Sequence, residues 1–344
     1  MNASVNRKRA PAPPLGVVAS LTAGFEAVNA RLVLILLPLV LDLFLWLGPR
    51  LSILPLVEQM VNLLQPPAAA GPDAAGMQQV FEAMRTSLLN LGVGFNLFAV
   101  LSTAPLGLPS LMAGRPTLAT PLGAPAVWPI ENGLGSFFFF GVFSLAGLLL
   151  GALYFGGIAQ QVRDARLAWG LLARQVWGDW ARLTTLAVLA LGLVFILGGP
   201  TLVMAVLLAL IHPLLGNLAS IIGATLILWA LIFGAFALPG IVLQRRGLLG
   251  ALWDSVRLVQ SNLPQTAGLF VAVVLVNFGL SGVWNLPGGD SWFLLLGLGG
   301  HALVSTALVA AIFVFYQDRY RWWLETQQAL RARPEGGAGR GSKD

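Results

Sequence analysis

Six apolar runs constrain this chain more than anything else in it: Leu32–Leu47, Leu134–Ala159, Leu183–Ile211, Leu215–Leu243, Thr266–Leu286 and Trp292–Tyr316. Runs of this length suit a helix crossing about 30 Å of hydrocarbon. A helix also bonds all its backbone polar groups within itself, as lipid requires. The composition agrees, with 57% hydrophobic and 10% charged residues against roughly 45–50% and 25% in soluble domains. A soluble fold could not keep so much apolar surface from water. The expected fold class is therefore all-α: a polytopic membrane protein with six transmembrane helices, lying in the cell (inner or plasma) membrane.

The first run is short and is bracketed by Arg31 and Arg50. A signal peptide is the rival reading, since Arg7, Lys8 and Arg9 precede it. The run lies too far from the start, however, and Leu47–Leu51 offers no small-residue cleavage site, so it is read as an uncleaved first span. Counting spans from a cytoplasmic start puts 17 of the 20 lysines and arginines inside, with only Arg50, Arg85 and Arg115 outside. This is the bias that the positive-inside rule describes. Making Thr86–Leu111 a further span would move thirteen of those charges outside. That segment, which carries Asn90, Asn96, Pro105 and Pro109, is read as interfacial or re-entrant, and both termini as cytoplasmic.

The chain then divides into a cytoplasmic N-terminus with an interfacial helix (1–31), the first span (32–50), an extracytoplasmic cap (51–133), five spans (134–316) and a basic cytoplasmic tail (317–344). In the cap, the Pro/Ala/Gly-rich Gln65–Gly76 reads as a flexible link and Met77–Leu101 as helical. Six prolines from Pro105 to Pro129 predict an extended, surface-hugging cover without regular helix or sheet.

Self-similarity organises the spans into three hairpins. Gly170-Leu171-Leu172-Ala173 is followed by Trp177, Asp179, Arg182 and Leu183, and Gly247-Leu248-Leu249-Gly250 by Trp253, Asp254, Arg257 and Leu258. The first hairpin shares Ala30-Arg31-Leu32 and Gly48-Pro49 with Ala181-Arg182-Leu183 and Gly199-Pro200. Each returning span ends in Gln-x-Arg: Gln161 with Arg163, Gln244 with Arg246, and Gln317 with Arg319. Trp169, Ala173, Val176 and Trp180 share one helical face, opposite Gln175, Asp179 and Arg182, the pattern of a helix lying in the membrane interface. Interfacial helices are accordingly predicted at Leu15–Ala30, 166–182 and 248–263, with Asp254 and Arg257 three apart and able to pair. The arginines Arg163, Arg182, Arg246, Arg257 and Arg319 are candidate interfacial anchors at the headgroups.

The stretch from Ala251 through Trp253, Asp254, Arg257 and Leu258 to Asn262, leading into an apolar span, resembles the signature of a loose group of six-span bacterial and archaeal membrane proteins. That group includes the membrane domain fused to some glycerophosphodiester phosphodiesterases. The likeness covers about Arg166–Arg319 and implies a six-helix bundle with both termini inside. No soluble segment remains for the catalytic phosphodiesterase part of such fusions.

With no cysteine, disulfides, thiolate metal sites and cysteine nucleophiles are excluded. P-loop, paired-histidine, dinucleotide and G-x-S-x-G motifs are also missing, so no cofactor, metal or catalytic residue is expected. Of the two histidines, His212 precedes Pro213 at an outer turn and reads as interfacial. Asp42 and His301 are the candidate intramembrane polar pair: Asp42 lies roughly 15 Å from the inner edge of its span and His301 roughly 13–14 Å from the outer edge of its own. A lone intramembrane carboxylate is costly and calls for a partner. Gly198-Gly199-Pro200 and Pro239 are read as interruptions of the third and fourth spans, and Gly297, Gly299 and Gly300 as close-packing positions.

The leading functional reading is a non-enzymatic membrane scaffold or accessory subunit, whose partners are membrane lipids and a membrane protein or a second copy of the chain. The absence of a soluble basic–aromatic groove argues against nucleic acid. The alternatives are a small transporter or exporter of an amphiphilic substrate and, third, an intramembrane enzyme. Transport would need polar groups converging from several spans, yet the supply is chiefly Asp42, Asn277, Ser281, His301, Ser305 and Thr306.

Overall fold

The computed structural model describes residues 13–65, 74–116 and 119–331. The Arg7–Arg9 cluster, most of the Pro/Ala/Gly-rich link and the tail beyond Arg331 lie outside the described residues. The architecture is all-α. It comprises α1 (Val17–Asn29), α2 (Leu36–Leu47), α3 (Leu54–Leu63), α4 (Ala74–Gly94), α5 (Gly133–Asp164), α6 (Trp169–Ile211), α7 (Pro213–Gly234), α8 (Ala237–Gln244), α9 (Leu248–Ser261), α10 (Leu263–Trp284) and α11 (Leu294–Arg331). Among the described residues, five units are long and apolar enough to cross a membrane: α5, α6, α7 with α8, α10 and α11. A sixth is obtained by taking α1 together with Leu32–Leu47, a pair bent by 93°.

The helix α11 is the axis, touched by α1, α2, α5, α8 and α10. Its Ala302, Ala307, Ala310 and Ala311 are fully buried. Small side chains let another backbone come close, and Ser20, Gly24 and Val28, four residues apart on α1, are the buried face that meets them. A Cβ on Gly24 would sit 2.6 Å from the Ala307 carbonyl oxygen and from the Ala311 Cβ. The helix expected over Leu15–Ala30 is present as α1. This segment seats its small-residue face against α11, where it forms the first limb of the bent pair.

A correction concerns 166–182. It is not a separate interfacial helix but the first four turns of α6, which runs 43 residues without a break, about 65 Å. Nothing between Arg182 and Leu186 stops a helix, and the Thr185 hydroxyl bonds back to the Ala181 carbonyl (2.9 Å). Nor do Gly198-Gly199-Pro200 interrupt it, Pro200 lying inside the helix. The helix expected over 248–263 does stand apart, as α9. The break falls at Asn262, and Pro264 in the first turn of α10 has no N–H with which to continue α9.

The fourth span breaks at Ala235–Phe236, between α7 and α8, just ahead of Pro239. Ser255, fully buried on α9, stitches the gap: its hydroxyl donates to the Phe233 carbonyl (2.6 Å) and accepts from the Phe236 N–H (3.1 Å). Broken helices persist at membrane depth when neighbouring side chains take up the freed backbone groups in this way.

The cap holds α3, α4 and, contrary to the expectation of no sheet, a short parallel pairing of β1 (Arg50–Ser52) with β2 (Val127–Pro129). Pro129 closes β2, at a strand end where its missing donor does no harm. The buried Arg50 guanidinium donates to the carbonyls of Val93 and Gly94 at the end of α4 (2.8 and 3.2 Å), a cation at a helix C-terminus. Burial holds its pKa below the ordinary arginine value. From there the chain turns inward. Leu101 and Thr103 lie against Gly147, and Leu106 and Gly107 against Gly151, half-way along α5. A side chain at either glycine would collide with this backbone. The second half of Thr86–Leu111 thus packs along the middle of α5.

Candidate functional site

Asp42 lies on α2 and is fully buried. Its carboxylate accepts from the Ser110 hydroxyl (2.5 Å), the Leu111 N–H (3.1 Å) and the Met112 N–H (3.0 Å). The Ser110 oxygen in turn accepts from Ala113 N–H (2.9 Å). Ser110 and Asp42 together thus cap the short 3₁₀ turn at Met112–Gly114. The direct Asp42–His301 hydrogen bond expected from depth is not formed, and the reason is competition: the segment Ser110–Met112 brings two backbone donors and a hydroxyl to the carboxylate. His301 is buried, and its Nε2 has no hydrogen-bond partner among the described residues. Beside it, Gly297 and Gly300 receive the Trp284 backbone and ring, a packing role, while Gly299 meets nothing.

The remaining intramembrane polar groups do not converge. The Thr306 hydroxyl accepts from Tyr154 (3.1 Å), and Ser305 and Ser281 donate to carbonyls of their own helices. Asn277 lies on the exposed face of α10, and His212 caps α7, accepting from Leu214 N–H.

The second polar assembly joins the three Gln-x-Arg ends. Arg163 at the end of α5 donates to the Leu243 carbonyl at the end of α8 (3.3 Å). Past α8, Arg246 donates to the Tyr320 hydroxyl on α11 (2.9 Å). Arg319, on α11, donates to the Leu15 carbonyl ahead of α1 (3.0 Å). Each hairpin therefore ends by holding the next, and the third holds the first. Asp318 completes the last joint by accepting from the Leu15 N–H (2.7 Å).

The five candidate anchors differ in their surroundings. Arg163 also pairs with Asp164 (2.8 Å) and Arg182 with Asp179 (3.5 Å). Asp254 does not pair with Arg257, as its spacing predicted. It faces Arg246 at 3.2 Å, an ion pair without hydrogen-bonding alignment, since this oxygen has no hydrogen-bond partner. The Tyr320 hydroxyl first, then Asp254, hold the Arg246 pKa above its ordinary value. Arg257 instead lies over the Trp253 ring, 5.3 Å from its centroid. Arg319 is 1% exposed and rests 3.3 Å over the Phe315 ring, with Nε and Nη1 unpartnered.

Between α9 and the extension of α11 a pocket of about 60 Å³ opens, lined by Asp254, Arg257, Ser261, Asn262, Arg319 and the aromatic residues Tyr320, Trp322 and Trp323. Sequence reasoning named four of these, Asp254, Arg257, Asn262 and Arg319, but not that they meet. It gave no role to Ser110, Ser255 or Tyr320, because a serine or tyrosine carries no local signal of a partner many residues away. No protein-family model, curated protein or solved structure matches this chain.

Proposed function

We propose that this chain is a non-enzymatic scaffold or accessory subunit of the cell membrane, multi-pass with both termini cytoplasmic, which holds membrane lipid and a membrane partner. The observation that carries the reading is the filling of its centre. The most apolar stretch of α11 is 61% buried, against 6% for that of α6 and 11% for that of α10. The interior is thus occupied by alanine and aromatic side chains, and the outer helices turn their apolar faces to lipid. The one carboxylate at depth, Asp42, is committed to three bonds within the fold. A transport route would need such a group to be available to a passing substrate.

The cysteine-free sequence makes the test direct. Single Ser305→Cys, Thr306→Cys and Ala310→Cys variants in sealed vesicles are treated from each side with a small hydrophilic thiol reagent, with Glu325→Cys as the reactive control. The scaffold reading expects labelling of the control alone. Labelling at the interior positions would reveal a water path and favour transport of an amphiphilic substrate instead.

A further inference from the structure

Two cations at the pocket between α9 and α11 keep hydrogen-bond donors that no group among the described residues takes up. Arg257 makes no hydrogen bond or ion pair among the described residues, only its contact with Trp253. Arg319 is buried with two of its three guanidinium nitrogens unpartnered. Leaving buried, charged donors unpaired is costly, and a guanidinium fork suits phosphate oxygens. The carboxylates nearby are already engaged, Asp254 with Arg246 and Asp318 with the Leu15 N–H. Ser261 and Asn262 supply neutral polar groups on the same wall.

The rest of the pocket fits a lipid better than a soluble anion. Tyr320, Trp322, Trp323 and Leu258 make up its remaining wall, and tryptophan and tyrosine concentrate at headgroup level. Asn262 leads directly into α10, whose Val271, Val274, Leu275 and Phe278 are all more than half exposed. An acyl chain descending from the pocket would find that apolar face beside it.

We propose that this pocket holds the phosphate of an anionic glycerophospholipid, bound by Arg257 and Arg319, with the acyl chains lying along α10. The inference rests on the scaffold reading, and basic pockets between spans on the cytoplasmic side are a known place for such headgroups.

The full chain, delipidated in a zwitterionic detergent, is titrated with short-chain phosphatidylglycerol, short-chain phosphatidylcholine and inorganic phosphate, with binding followed by native mass spectrometry. The expected result is saturable binding of phosphatidylglycerol, weakened about tenfold or more by Arg257→Gln, as loss of a charge-assisted hydrogen bond implies. Arg174→Gln, the same charge change at an exposed position on α6, should shift it less than about twofold. Arg257 is exposed and makes no tie to another helix, so its variant should fold. Equal effects of the two substitutions would mean diffuse attraction and overturn the site. Equal binding of phosphatidylcholine would overturn the anionic class, and displacement of the lipid by inorganic phosphate at matching concentration would overturn the lipid source. A missing lipid site together with unlabelled interior cysteines would sink this inference alone. Labelled interior cysteines would sink the scaffold reading whatever the lipid result.

Discussion

The Ser110 hydroxyl meets the Asp42 carboxylate at 2.5 Å across 68 residues of sequence, joining α2, the second limb of the bent pair, to the part of the cap that packs along α5. The bond is a structural tie, because the same carboxylate also caps the backbone at Leu111 and Met112. Asp42→Asn should lower stability by about 1–3 kcal/mol, the range for a buried acceptor whose partners are left short. In unfolding titrations with sodium dodecyl sulfate, Asp42→Asn and Ser110→Ala should be non-additive by about 0.5 kcal/mol or more, while Asp42→Asn and His301→Gln should add within about 0.5 kcal/mol. The reverse pattern would restore the histidine as partner.

Ser255 bonds to both sides of the break between α7 and α8. Ser255→Ala should cost about 1–3 kcal/mol by stranding a buried carbonyl and N–H together. The same titration checks it; an unchanged midpoint would show that the break closes on itself.

Gly24→Ala should loosen α1 from α11, since the added methyl would meet Ala307 and Ala311 at 2.6 Å. The expected loss is about 1–3 kcal/mol, typical of overpacking. Gly192→Ala, in α6 with nothing within 4 Å of the new carbon, should instead be neutral or stabilising by up to about 1 kcal/mol. A similar response at both positions would deny the close approach.

A cytoplasmic start would put 17 cations inside and 3 outside, so on the proposed topology the cap and the end of α11 are expected on opposite sides. Glu58→Cys on α3 and Glu325→Cys on α11, both at exposed positions, should react with an impermeant maleimide from opposite faces of the membrane, Glu58→Cys from outside. Reaction from one face would reverse the topology.

The helical class and the spans were legible because hydrocarbon crossing demands long apolar runs, which need no knowledge of tertiary contacts. The boundaries between spans and adjoining amphipathic stretches were legible only where a local breaker marked them. Pro264 separates α9 from α10, whereas Leu183–Leu186 carries nothing to divide 166–182 from the span that follows. The Gln-x-Arg ends could be read as a pattern, but not the carbonyls and hydroxyl that their arginines reach. Nor could the partner of Asp42 be read, since the proline-bearing chain that delivers Ser110 has no periodicity from which to infer its path.

The joint between Leu15 and the pair Asp318–Arg319 spans 303 and 304 residues of sequence, and the buried face of α1 packs on the same helix. During synthesis, which proceeds from the N-terminus, α1 is made first and its seat last. The nascent chain must therefore carry Ser20, Gly24 and Val28 unmatched until the final span has entered the bilayer. Insertion of α11 becomes the locking step of biogenesis, and a ribosome that stops short of it releases a chain whose first helix has nowhere to dock. Such a product is what membrane quality control is placed to remove.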